Sequence, residues 1–191
     1  MKLIAINGSV RKDGNTAIML RTVFERLDAE GIKTELIQLA GRAPQGCIAC
    51  FKCFERKDKR CAVTGDIVNE CIERMLDANG ILLGSTSYFA DMSAGMKALI
   101  ERAGMVSRAN EWMFRGKVGA AICAERRAGA TSVLSSMNFF FLQGQMVMPG
   151  STYWNIGVGR NPGEVTADTE GMETMRNLGD NLAWVIKKLH S

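Results

Sequence analysis

Residues 3–16 read Leu3-Ile4-Ala5-Ile6-Asn7-Gly8-Ser9-Val10-Arg11-Lys12-Asp13-Gly14-Asn15-Thr16. Leu3 to Ile6 is an unbroken apolar run, the pattern of a strand covered on both faces in a parallel sheet. Leu20, Val23, Phe24 and Leu27 then recur at helical spacing, and Gly31 stops the helix. Strand, short loop and helix in that order open an alternating α/β architecture.

The alternation continues along the chain. Residues 34–39 read as a second strand, 81–84 as a third and 118–124 as a fourth. A fifth is expected at 145–148, continued at 152–155. Helices are expected from Asp66 onward, around Met96, Leu99 and Ile100, over 132–142, and from Met172 to Leu189. Five strands alternating with helices predict an α/β fold, a doubly wound five-stranded parallel sheet with helices on both faces. In such sheets ligands bind beyond the carboxyl ends of the strands. The loops at 8–16, 41–65, 85–92 and 125–131 are therefore expected to share one edge of the molecule.

A length of 191 residues suits one domain with one core. Residues 41–65 lack periodicity and form an insertion in it, and a loop of that length calls for a functional explanation. No apolar run nears the roughly 18 residues that suggest a membrane span, and the N-terminus lacks the pattern of a secretory signal. These readings place the chain in the cytoplasm. The net charge of +4 is spread without a basic stripe, which argues against nucleic acid. His190 is the only histidine and lies beside the C-terminus, which disfavours histidine-dependent hydrolysis.

The 8–16 loop joins a strand to a helix start, where open backbone N–H groups and a partial positive charge suit a phosphate. Ser9, Asn15 and Thr16 add donors and Arg11 adds charge. A capped turn with Asn15 or Thr16 as N-cap explains the same residues. The 85–93 loop carries hydroxyls and the aromatics Tyr88 and Phe89. It suits the face and edge of a flavin ring, or else a turn whose Ser93 caps the next helix.

Together these loops resemble the NADPH-dependent FMN reductase and iron–sulfur flavoprotein group of the flavodoxin-like superfamily. The resemblance rests on Gly8-Ser9-Val10-Arg11 through Gly14-Asn15-Thr16, Ser85-Thr86-Ser87-Tyr88-Phe89, Ser93-Ala94-Gly95-Met96-Lys97, Gly116-Lys117-Val118-Gly119-Ala120 and Arg126-Arg127. It implies a flavodoxin-like fold and a flavin-dependent oxidoreductase. It further implies that Ser9, Arg11, Asn15, Thr16 and Ala17 hold the FMN phosphate. Ser85, Thr86, Ser87, Tyr88 and Phe89 would border the ribityl chain and ring, and Arg126, Arg127, Ala128 and Gly129 would close a third side. That last loop has fewer glycines than the family pattern. The resemblance also suggests a homodimer or homotetramer with flavin near the interface.

Four of the six cysteines crowd into residues 47–61 as Cys47, Cys50, Cys53 and Cys61, a C-x2-C-x2-C-x7-C spacing. In a reducing compartment such crowding points to a metal or redox site rather than to disulfides. The spacing resembles the compact motif of iron–sulfur flavoproteins, which implies a [4Fe-4S] cluster beside the flavin. It departs from the bacterial ferredoxin run, whose last gap is three residues followed by proline. Zinc and free thiols are the rival readings. Cys71 and Cys123 sit in apolar patterns and read as core. Arg56, Lys57, Lys59 and Arg60 offer cations that tune a cluster or attract an acidic ferredoxin-like partner. The expected function is FMN-based electron transfer with NAD(P)H or reduced ferredoxin as donor. The alternatives are a cluster-free NAD(P)H-dependent FMN or quinone reductase and, more distantly, a zinc-stabilised binding module.

Overall fold

The computed structural model describes residues 1–42 and 44–190. Ala43, inside the predicted 41–65 loop, and Ser191 lie outside the described residues. The elements run β1 (Lys2–Asn7), α1 (Asn15–Ala29), β2 (Lys33–Gln38), α2 (Lys52–Arg56), α3 (Val68–Asp77), β3 (Gly80–Thr86), α4 (Ala94–Ala109), β4 (Val118–Glu125), α5 (Ala130–Gln143), β5 (Ile156–Val158) and α6 (Thr169–His190). Every strand pair is parallel and the spatial order is β2-β1-β3-β4-β5, the flavodoxin-like doubly wound order.

Strand alternation divides the core into two layers. Ile4 and Ile6 of β1 pack with α3, α4 and α5 through Ile72, Leu99 and Val133. Leu3 and Ala5 face the other way, toward Leu20 and Val23 of α1 and Leu178 and Leu182 of α6. Each fully buried leucine or isoleucine contributes about 1.5–3 kcal/mol. Gly119 of β4 is needed at one close approach, since a Cβ there would lie 2.5 Å from the Phe141 ring. Among the described residues no helix is long and apolar enough to cross a membrane.

Two elements differ from the sequence reading. The fifth strand lies at Ile156–Val158, not at 145–148 or 152–155. Val147 makes only an isolated parallel bridge to Val118. Pro149 then interrupts the edge, because it has no N–H to donate to the neighbouring strand. The Asn155 side chain substitutes for a ladder bond by donating to the Ala121 carbonyl at 3.0 Å. The detour of 148–155 opens a cavity of about 590 Å³ against Ala121, Leu134, Asn138 and Trp154. The second difference is α2, a short helical segment within the predicted loop that buries Cys53.

Candidate functional site

Gly8 of the β1–α1 loop donates to the Gly84 carbonyl at 2.7 Å, which ties the loop to the end of β3. The Asn7 side chain accepts the Ser9 N–H at 2.9 Å, and the Gln38 amide donates to the Ser9 carbonyl at 2.7 Å. Two buried atoms remain without partners beside this loop, Asn7 Nδ2 and Gln38 Oε1. The N-cap is Gly14, with no side-chain cap. Ile18 is the first residue of the helix to find a carbonyl, that of Gly14 at 3.2 Å. The N–H groups of Asn15, Thr16 and Ala17 thus lack intrahelical partners. No acidic residue lies in the first turn of α1, and Arg21 engages the nearby Asp13 at 2.7 Å. The donor set fits a phosphate: open N–H groups, a positive helix end, and exposed Arg11 and Lys12.

The residues of this loop have different parts. Ser9 is buried, and its hydroxyl accepts the Arg11 N–H at 3.2 Å. Thr16 is buried and donates to the Ser85 carbonyl at 3.4 Å. Ala17 is wholly buried in the first turn of α1. Arg11 reaches the Arg160 carbonyl at 3.0 Å. Asn15 is no N-cap. Its oxygen accepts from the Gly163 N–H at 2.9 Å and the Val165 N–H at 3.4 Å, and its Nδ2 donates to the Gly159 carbonyl at 2.9 Å. It is a buried strut between α1 and the 159–165 segment.

The other two loops meet above the sheet edge. Ser87 donates to the Ala128 carbonyl at 3.4 Å, and its N–H reaches the Ala124 carbonyl at 3.0 Å. Ser85 is buried and accepts the Ser93 N–H at 3.0 Å, and Ser93 caps α4 by accepting from Met96 at 3.3 Å. Thr86 and Ser87 are half-buried. Tyr88 and Asp91 close a tight turn through reciprocal backbone bonds. Phe89 and Ala90 occupy its corner at φ 50° and 60°, and the Phe89 side chain is wholly exposed. Left-handed backbone at non-glycine residues is strained and gathers at ligand-binding turns. Arg126, Arg127 and Ala128 are exposed beside it, and Gly129 is half-buried at φ 99°.

The four clustered cysteines line a single cavity, together with Ile48, Phe51, Met105, Val106 and Arg102. Cys47 and Cys50 are exposed, Cys61 is half-buried and Cys53 is buried. Burial pushes the Cys53 thiol above its ordinary range. Among the described residues no three potential ligands are close enough together to hold a metal ion as they stand. The donor chemistry nevertheless fits an iron–sulfur cluster, because the cavity presents four thiols, one cation and no carboxylate. The loop backbone turns sharply around it, with Ala49, Phe51, Lys57 and Lys59 all at positive φ.

Sequence reasoning missed three residues that build this cavity. Asn69 of α3 clamps Cys61 on both sides, accepting its N–H at 2.8 Å and donating to its carbonyl at 3.0 Å. The Arg102 side chain is completely buried and ion-paired with Asp66. It also donates to Cys61 Sγ at 3.2 Å, the Gln45 carbonyl at 3.2 Å and the Val63 carbonyl at 2.7 Å. Burial disfavours the Asp66 carboxylate most strongly, but the Arg102 bond and charge together with the Val68 and Gln45 N–H groups outweigh it and keep the group below its ordinary range. One signal was available: Leu99, Arg102 and Val106 fall on one buried helical stripe.

The cysteine cavity is set apart from the strand-end edge. The loop leaves β2 near that edge, with Pro44 beside Gly95 at the start of α4. The cavity rests on Arg102, Met105 and Val106, eight to twelve residues after Ala94. At 1.5 Å per residue that is about 12–18 Å along the helix.

Residues 1–160 match the family described as NADPH-dependent FMN reductase. The chain is 37% identical to an iron–sulfur flavoprotein of Methanocaldococcus jannaschii, over 98% of each chain. It is 28% identical to an iron–sulfur flavoprotein of Methanosarcina thermophila, over 98% of this chain and 96% of the other. The fold is similar to a WrbA-like flavodoxin from Agrobacterium tumefaciens, with TM-score 0.67 and 12% identity over 98% and 97% of the two chains.

Proposed function

The chain belongs to the NADPH-dependent FMN reductase family, whose members are flavin-dependent oxidoreductases, and from that premise we propose an FMN-binding electron-transfer flavoprotein carrying a [4Fe-4S] cluster. The observation that carries the cluster is the single cavity lined by Cys47, Cys50, Cys53 and Cys61. Two relatives named iron–sulfur flavoprotein match along nearly their whole lengths and support it. When bound, the flavin supplies one- and two-electron chemistry and the cluster one-electron chemistry.

In this reading the chain is one domain spanning 1–191, with the cysteine-rich insertion at 41–65. The helix start at Asn15, Thr16 and Ala17, with Ser9 and Arg11, holds the phosphate. Asn15 acts there through its backbone, since its side chain is engaged elsewhere. Ser85, Thr86, Ser87, Tyr88 and Phe89 border the ring on one side, and Arg126, Arg127, Ala128 and Gly129 border it on another. The exposed Arg56, Lys57, Lys59 and Arg60 attract an acidic ferredoxin-like donor to the cysteine cavity. NAD(P)H is the alternative donor. The protein acts in the cytoplasm as a homodimer or homotetramer. Exposed Phe89, Tyr153 and Trp154 supply aromatic surface for contacts between subunits.

One anaerobic preparation tests this, with FMN, iron and sulfide quantified per chain. Stoichiometric FMN with four iron and four sulfide is expected. FMN without metal selects a cluster-free reductase, and zinc without flavin selects the binding module.

A further inference from the structure

A fully buried arginine among thiols is costly, because a desolvated cation needs an anion and a partner for nearly every N–H. Asp66 supplies the anion, and the Gln45 and Val63 carbonyls take two more bonds. These would suffice to tie both limbs of the loop to α4. The guanidinium goes further and aims Nε at Cys61 Sγ, 3.2 Å away. Asn69 already fixes the Cys61 backbone from both sides, so the bond to sulfur is not needed to place the main chain.

Resting on the cluster reading above, we infer that Arg102 is a positioning residue for the cysteine site: its Nε–H fixes the Cys61 sulfur and raises the reduction potential of the cluster bound there. Groups behind metal ligands set ligand orientation, and their loss typically lowers metal affinity 10–100-fold. Hydrogen bonds to sulfur and nearby charge set cluster potentials. A cation bonded to a ligand sulfur favours the reduced, more negative cluster, so its removal moves the midpoint downward. Asp66 lies beyond the guanidinium and keeps it oriented rather than contacting sulfur.

The experiment uses the anaerobically purified full chain. Wild type is compared with Arg102→Lys, with the pair Arg102→Gln/Asp66→Asn, and with Asn69→Ser. The pair removes both charges and leaves no buried ion unpaired. The readouts are the cluster midpoint by spectroelectrochemistry and the rate of iron loss to a chelator. Both Arg102 variants are expected to shift the midpoint to more negative potential and lose iron roughly 10-fold faster. Asn69→Ser is expected to lose iron faster with an unchanged midpoint. If the Arg102 variants fail to fold, wild type labelled with 15N in the arginine guanidinium decides. Pulsed EPR of its reduced cluster should show a guanidinium nitrogen coupling, and its absence overturns the inference. An unchanged midpoint in the Arg102 variants, or an equal shift in Asn69→Ser, also overturns it while leaving the cluster reading intact. Wild type without iron overturns the cluster reading and this inference together.

Discussion

Gly129→Ala tests whether the 85–91 and 125–131 loops bracket the flavin. Gly129 sits at φ 99°, where an L-residue costs about 1–2 kcal/mol. A Cβ there would lie 2.7 Å from Ser87 Oγ and 3.0 Å from Ala90 Cα. The Ser87 hydroxyl can rotate away only by giving up its bond to the Ala128 carbonyl. Ala90 Cα is backbone, so the Tyr88–Asp91 turn itself must move, at a further cost of roughly 1–2 kcal/mol. The apo protein should lose about 2–4 kcal/mol in urea denaturation. FMN affinity, read from quenching of flavin fluorescence, should fall at least about tenfold, or about 1.4 kcal/mol. Adding Ser87→Ala should recover the hydroxyl's share of the stability loss, with a coupling of at least about 0.5 kcal/mol. Unchanged stability would refute the packing argument. Lost stability with unchanged FMN affinity would show that the flavin does not lie between these loops.

Burial pushes the Cys71 and Cys123 thiols up to about 12, from an ordinary value of 9.0. A raised thiol pKa in the folded state makes stability complete below 9 and lost as pH rises toward 12. By pH 10.5 the loss is about 2 kcal/mol per thiol, so wild type should lose about 4 kcal/mol more than Cys71→Ala/Cys123→Ala between pH 8 and 10.5. Parallel urea midpoints across that range would contradict the burial argument. Asn15→Ala removes three hydrogen bonds and strands the Gly163 and Val165 N–H groups. It should cost about 2–4 kcal/mol in chemical denaturation. Phe89→Ser alters a wholly exposed side chain, so stability should stay within about 0.5 kcal/mol while FMN binding weakens. Unaltered FMN affinity would remove Phe89 from the ring site.

The order of strands and helices was legible because parallel strands are buried on both faces and read as plain apolar runs. β1, β3 and β4 have that form, whereas β2, Lys33–Gln38, is a half-buried edge strand of mixed polarity. β5 does not have it either, since Pro149 breaks the edge and the chain rejoins it with only three residues. The strand-end loops were legible from their glycines and hydroxyls, but the division of labour within them was not. Asn15 has the composition of a cap, yet its partners lie 144 to 150 residues away. Arg102 was hidden for the same reason. It sits among Glu101, Arg108 and other solvated charges in the sequence, and its acceptors come from 36 to 57 residues upstream. Local pattern reports which helix face is apolar, not which distant carbonyls wait there for a guanidinium.

The two candidate sites hang on one rigid element. The cap of α4, Ser93, bonds Ser85 at the strand-end edge. The middle of the same helix carries Arg102, Met105 and Val106 against the cysteines. Its apolar face, from Met96 to Val106, is locked into the core. The separation of about 12–18 Å along the helix axis is therefore fixed by a packed helix rather than by the long loop. The cysteine loop is held to the body of the protein at separate points, among them Asn69 and Arg102 at Cys61, Glu101 at the Cys47 N–H, Asn110 at the Lys59 N–H, and the buried Cys53. The strand-end loops depend instead on β1, β3 and β4, none of which the cysteine loop interrupts. Assembly or loss of a cluster should thus leave the strand-end loops standing, while any distortion of α4 between Met96 and Arg102 should be felt at both ends.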